Sequence, residues 1–185
     1  MLRKLFTFTA LSVFLTVGAV AGFAQDGPPK GDSAAAGFRG EAINQLKDAA
    51  GKYIGLAKET PDNKMAWRPA EGIRSNTEVW MHVANANFLI SKALGAEVPK
   101  DLPKEMEKVT DRKEILHYLE LSFKTAAYQI QKLKSEDMDR EVDFFGNKKT
   151  VRDVILAMTV HCHNHLGQSI AYARMNGVKP PWAQS

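Results

Sequence analysis

The chain has 185 residues, of which 25 are basic and 21 acidic, and this length suits one domain with a sizeable core. Its charges are nearly balanced and no basic stripe is interleaved with aromatic residues, so the composition argues against nucleic-acid binding. The single cysteine, Cys162, has no partner for an intrachain disulfide.

The first 24 residues have the pattern of a signal peptide. Arg3 and Lys4 precede an apolar run from Leu5 to Val20, and small residues occupy the positions before a cleavage point after Ala24. Without these two basic residues, 23 basic face 21 acidic side chains. We expect an exported protein, periplasmic or secreted, with no stable membrane insertion after cleavage. The alternative is an uncleaved N-terminal anchor.

Residues 25–37 are rich in glycine, proline, alanine and serine and contain no large apolar side chain. Such a segment cannot pack, so it predicts a flexible tether. A single folded domain is expected over residues 38–182.

Four segments have apolar residues at helical spacing, and three of them begin with a capping residue. The predicted helices cover residues 38–59, 75–93, 111–133 and 150–176. Ser75 with Glu78 has the spacing of a capping box, and Gly177 ends the last helix. The sequence therefore predicts an all-α four-helix bundle, with one short extended piece around residues 142–145 in a connection.

The segment TVHCHNHLGQ, residues 159–168, predicts a metal site on the last helix. His161 and His165 are four residues apart and share one helical face, at a spacing that allows both to bind one ion. His163 points away from that face. His163 and His117 are expected on outer faces, where a histidine needs no role.

His82 is the best candidate for a third ligand. It lies in the apolar stripe of the second helix, and bundles build metal sites from side chains on facing helices. The alternative for all three histidines is a metal-free core in which both ring nitrogens form hydrogen bonds.

Other polar residues fall near the same face. Gln168 and Tyr172 continue the stripe of His165 and are candidates for orienting a ligand or donating a proton. Glu78 is four residues before His82 and is either a base or outer partner of that ring, or simply part of the helix cap. Cys162 flanks the ligand face and is either a core residue or an accessible thiol. The three tryptophans are expected to pack near the bundle ends.

These motifs, taken in order, resemble the DinB-like metalloprotein superfamily. The elements that carry the resemblance are Trp67-Arg68-Pro69, Ser75 with Glu78 and His82, Phe145-Gly146, His161-x3-His165-Leu166-Gly167-Gln168, Arg174, Gly177 and Pro180-Pro181. The resemblance implies a four-helix bundle that holds a divalent metal through His82, His161 and His165. It also implies a homodimer, and some members of this superfamily are thiol transferases.

Two functions of different classes remain open. Three neutral imidazoles leave a coordination position free, as in catalytic sites, so the first is a metal-dependent hydrolase or transferase acting on an unidentified small molecule. The second is an exported protein that binds a metal or small ligand without turnover. The ligand set suits zinc, nickel, copper or iron(II) and does not choose among them.

Overall fold

The computed structural model describes residues 37–183. It contains five α-helices and one β-hairpin in this part of the chain. The elements are α1 (Gly37–Glu59), α2 (Asp62–Met65), α3 (Asn76–Ala93), α4 (Arg112–Lys132), β1 (Glu141–Phe144), β2 (Asn147–Thr150) and α5 (Val151–Met175), with short 3-10 helices between and after them. The predicted signal peptide and nearly all of the predicted tether lie outside the described residues.

The four long helices form the bundle. α1 and α3 each pack against both α4 and α5, so they stand at opposite corners of the four-helix arrangement. The buried side chains on the inner faces of all four helices form one continuous core. Because α3 and α5 are direct neighbours, residues on their facing sides meet across one seam of the bundle.

Three long helices begin at the capping residues that the sequence predicts. The hydroxyl of Ser75 accepts from the amide of Glu78, and the Glu78 carboxylate accepts from the amide of Ser75, which completes the capping box of α3. Asp111 and Thr150 are the N-cap residues of α4 and α5, and their side-chain oxygens accept hydrogen bonds from amides of the first turn. These caps satisfy amides that the first helical turn leaves without a partner.

The predicted all-α bundle is confirmed as a mostly helical domain, with one β-hairpin between α4 and α5. β1 was anticipated as an extended piece, whereas β2 was not, and the two strands pair antiparallel with Phe144 opposite Asn147. The two-residue turn has positive φ at Phe145 (53°) and Gly146 (80°), the backbone pattern of a tight hairpin turn. Thr150 is both the last residue of β2 and the N-cap of α5, so the hairpin leads directly into that helix.

The connections contain more structure than the sequence predicted. α2 is a single turn between α1 and α3, and a 3-10 helix (Met106–Lys108) lies between α3 and α4. Gly37, placed in the tether by sequence, is the first residue of α1. No helix within residues 37–183 is long and apolar enough to cross a membrane.

Candidate metal centre

Three histidine side chains converge on the seam between α3 and α5. His82 comes from α3, while His161 and His165 come from consecutive turns of α5. One nitrogen of each ring lies within 4.8 Å of the corresponding nitrogens of the other two. The three ring centroids are 4.6–5.1 Å apart. The three histidines selected by helical spacing are therefore neighbours in space, although 79 residues separate His82 from His161.

The spacing of the nitrogens fits a single ion. The Nε2 atoms of His82 and His161 are 3.2 Å apart. Two nitrogens that each lie about 2.0–2.1 Å from one tetrahedral ion are separated by about 3.3–3.4 Å. All three histidines are only partly buried.

Hydrogen bonds donated by Nδ1 determine which ring nitrogen of His82 and His165 keeps a free lone pair. Nδ1 of His82 donates to Oε1 of Glu107 at 3.0 Å, and Nδ1 of His165 donates to Oε1 of Gln168 at 2.8 Å. Because each Nδ1 carries the proton, Nε2 of both rings keeps its lone pair for a ligand. Nδ1 of His161 is buried and has no partner among the described residues.

The surroundings favour neutral imidazoles, which is the form that binds metal. Burial, followed by the charges of His165 and His82, lowers the pKa of His161 to about 4. Burial and then the charge of Arg74 lower the pKa of His82, and together they outweigh the opposite effect of Glu107. At neutral pH both rings therefore have lone pairs available to an ion.

Gln168 and Tyr172 extend the site along α5. Gln168 uses its carbonyl oxygen on His165 and its amide nitrogen to donate to the Tyr172 hydroxyl at 2.8 Å. The Tyr172 ring packs edge-on against Trp67, with centroids 5.3 Å apart. A chain of hydrogen bonds thus runs from His165 to a tyrosine hydroxyl whose position is fixed by an aromatic neighbour.

No hydrogen bond joins Glu78 to His82 in the described part of the chain. The Glu78 carboxylate is held by the amide of Ser75 and by Arg68, whose Nη2 donates to Oε1 at 2.9 Å. The hydrogen bond from Ser75 and the ion pair with Arg68 lower the pKa of Glu78 below its usual value, despite partial burial. Of the two roles open from sequence, the structure shows the helix cap.

Cys162 is a core residue. Its side chain is fully buried, and its thiol donates to Oδ1 of Asn87 at 3.2 Å. Burial raises the pKa of this thiol to about 12, so it carries no thiolate at neutral pH. Of the two alternatives from sequence, the accessible thiol is wrong.

The remaining histidines differ from each other. His117 is exposed, as predicted, and its ring lies against Tyr118. His163 is half-buried rather than on an open outer face, and its Nε2 is buried without a partner among the described residues. It is not among the residues that group around the centre.

Sequence reasoning missed Glu107 and Arg74. Both carboxylate oxygens of Glu107 accept from Arg74, and one of them also accepts from His82. Glu107 stands in a polar segment 25 residues after His82, outside any helical stripe. The only hint was the length of the α3–α4 connection, because long ordered connections in bundles often carry function.

The comparisons agree with this architecture. A sequence model of the DinB superfamily matches residues 45–169. The chain belongs to the DinB superfamily. The matched region includes His82, His161 and His165, so the converging histidines lie inside the family domain. No curated protein matches the chain.

Three solved structures share the DinB fold of this chain. A DinB-like protein from Bacillus cereus aligns with a TM-score of 0.66 and 17% identity, covering 76% of this chain and 93% of the other. A DinB-like protein from Bacillus subtilis gives 0.61 and 17%, covering 78% and 99%. A conserved protein from Enterococcus faecalis gives 0.59 and 15%, covering 74% and 95%. At these identities the likeness concerns the fold.

Proposed function

We propose that this DinB-superfamily protein binds one divalent metal ion through His82, His161 and His165 and uses it as a hydrolase or transferase. The observation that carries the proposal is the convergence of three imidazole nitrogens within 4.8 Å of one another. Packing alone does not account for the arrangement, because the Nε2 atoms of His82 and His161 face each other at 3.2 Å and Nδ1 of His161 is buried without a partner among the described residues.

The donor set decides what kind of chemistry is available. His82, His161 and His165 would hold the ion through three neutral nitrogens and leave room for a water or substrate ligand, as in catalytic rather than structural sites. A bound divalent ion supplies Lewis-acid chemistry there, lowering the pKa of a coordinated water or thiol. Zinc, nickel and iron(II) all suit imidazole ligands, so we leave the metal as one of these.

Gln168 and Tyr172, which are joined to His165 by hydrogen bonds along α5, would orient a substrate. Tyr172 accepts a hydrogen bond from Gln168, so its own hydroxyl hydrogen stays available for donation to a substrate oxygen or leaving group. Trp67 holds the Tyr172 ring edge-on. We assign Gln168 the positioning of His165 and Tyr172 the contact with substrate.

One observation favours binding without turnover as the second candidate. The carboxylates of Glu78 and Glu107 are both engaged in ion pairs with arginine. Neither is free to serve as a general base, so any reaction must depend on the metal position itself. A protein that sequesters a metal or small ligand needs no such base.

We further propose that the chain is exported and acts outside the cytoplasm, on the basis of its first 24 residues. Intact-mass measurement of the protein recovered from the periplasm or medium tests this part. Cleavage after Ala24 predicts a chain that begins at Gln25. Recovery of the full-length chain in the cytoplasm contradicts it.

The enzymatic proposal is tested with the mature chain loaded in turn with zinc, nickel or iron(II). Each form is assayed on ester, amide and phosphoester substrates and on thiol transfer to an electrophile. Turnover that disappears in Tyr172→Phe and in His165→Ala supports the enzyme. Stoichiometric metal binding with no turnover on any substrate supports the binding protein instead, and turnover equal in parent and His165→Ala contradicts the proposed centre.

A further inference from the structure

Glu107 approaches the candidate centre from outside the helical bundle. It lies in the 3-10 helix Met106–Lys108, and its Oε1 accepts the Nδ1 hydrogen of His82 at 3.0 Å. A carboxylate can only accept here, so the contact keeps the proton of neutral His82 on Nδ1. Nε2 of His82 is thereby left bare and faces Nε2 of His161.

Arg74 holds this carboxylate from the opposite side. Its Nε donates to Oε2 of Glu107 at 2.9 Å, and its Nη2 donates to Oε1 at 3.1 Å. This two-pronged pair uses both oxygens and restricts rotation of the carboxylate. Glu107 is therefore held as a partner of His82, and the negative charge that it brings is balanced by Arg74.

The segment that carries Glu107 is itself fixed to the bundle. Met106 and Val109, on either side of Glu107 and Lys108, are buried members of the core. Arg74 directly precedes the capping residue of α3, Ser75. Both halves of the pair thus stand on backbone whose position is set by packing or by a helix cap.

The three histidines differ in their outer partners. His82 has a carboxylate, His165 has the neutral amide of Gln168, and Nδ1 of His161 has no partner among residues 37–183. A carboxylate partner orients the ring of a metal ligand and increases its basicity more than an amide does. Of the three rings, His82 is therefore the one whose orientation and basicity are most strongly set by its outer partner.

We propose that Glu107, held by Arg74, is a positioning residue of the metal centre that fixes the tautomer and orientation of His82. The effect on metal affinity rests on the proposed function. The effect on the tautomer does not, since the hydrogen bond exists without an ion. The pair also connects the two loops that precede α3 and α4 to the centre.

The first experiment measures the tautomer of His82 in the metal-free protein. Long-range proton–nitrogen NMR on ¹⁵N-histidine-labelled protein, held at neutral pH, distinguishes protonated from bare ring nitrogens. We expect Nδ1-protonated His82 in the parent and a mixture of tautomers in Glu107→Ala. Glu107→Gln keeps an acceptor oxygen and should retain most of the parent signal.

The second experiment measures zinc affinity by competition with a chromophoric chelator. We expect Glu107→Ala to bind zinc about 10- to 100-fold more weakly than the parent, with Glu107→Gln between the two. Glu105→Ala is the matched control, because Glu105 is an exposed glutamate two residues earlier that pairs only with Lys108 among the described residues. It should leave both measurements unchanged.

The outcomes separate the two claims. An unchanged His82 tautomer in Glu107→Ala overturns the positioning role whatever the metal affinity. An equal loss of affinity in Glu105→Ala also overturns it, because the effect then belongs to the segment and not to the carboxylate. If the parent binds no zinc, nickel or iron(II), the proposed function fails, while the tautomer measurement still decides the role of Glu107.

Discussion

Burial governs the chemistry of single residues in this protein. The thiol of Cys162, next to His161 in the sequence, is fully buried in the core. The imidazoles of His161 and His165 are only partly buried. Helical rotation of about 100° per residue separates these two environments within one turn of α5. Position along the sequence alone therefore says little about reactivity at Cys162.

Native Cys162 should resist modification. Because its thiol is fully buried and its pKa is raised to about 12, we expect no labelling by a thiol-specific reagent at pH 7.5 in the folded protein. Labelling should become complete in a denaturing concentration of urea, as followed by mass spectrometry. Rapid stoichiometric labelling in buffer alone contradicts the buried placement.

The depressed histidine pKa values predict a pH-dependent stability. A histidine of ordinary pKa 6.5 when unfolded and about 4 when folded, as for His161, binds protons preferentially in the unfolded chain. The metal-free protein should therefore lose stability as pH falls from about 6.5 toward 4.

Urea unfolding of the metal-free parent and of His161→Gln at several pH values between 7 and 4.5 measures this effect. The free energy of unfolding of the parent should decline more steeply with falling pH than that of the variant, which lacks one titrating ring. Parallel curves for the two proteins contradict the pKa assigned to His161.

At the scale of elements, local sequence rules predicted the helices well. The stripe of apolar residues and the capping pair Ser75 and Glu78 located α3 to within one residue. β2 was missed because its sequence, NKKT, is almost wholly exposed and shows no alternation of apolar and polar residues. Its pairing with β1 depends on the turn at Phe145 and Gly146, whose positive φ values are not evident from a phenylalanine.

The cap of α3 should have a measurable stability contribution. Ser75→Ala removes the acceptor for the Glu78 amide, so we expect a loss of about 0.5–2 kcal/mol in the free energy of unfolding. Ser91→Ala is the control in the same helix, because the buried Ser91 hydroxyl has no partner among the described residues. Its removal should be neutral or stabilising. Equal losses in the two variants would contradict the role of the cap.

For the whole molecule, the sequence identified the histidines but not what supports them. Periodicity placed His82, His161 and His165 on inward faces, and the bundle topology then brought α3 beside α5. Glu107 was not predicted as a site residue, because its contact with His82 depends on the path of a polar loop, which no periodic pattern encodes. Helical spacing also gave no sign that His163, on another face of α5 from His161 and His165, is half-buried.

The scaffold and the candidate site are linked through this topology. Two ligands come from one helix and the third from its neighbour, so an ion bound there crosslinks α3 to α5. Binding to the folded state alone raises its stability in proportion to the logarithm of metal concentration over the dissociation constant. The proposed function depends on these three rings holding one ion.

Metal content of the mature chain, purified without a chelating column, tests that claim directly by mass spectrometry. We expect about one zinc, nickel or iron per chain in the parent and in His163→Ala, whose substitution lies two residues from His161 on the same helix but outside the centre. His161→Ala should lose the metal. A parent purified without metal that takes up none on reloading, or a His161→Ala variant that retains the full amount, would contradict the account.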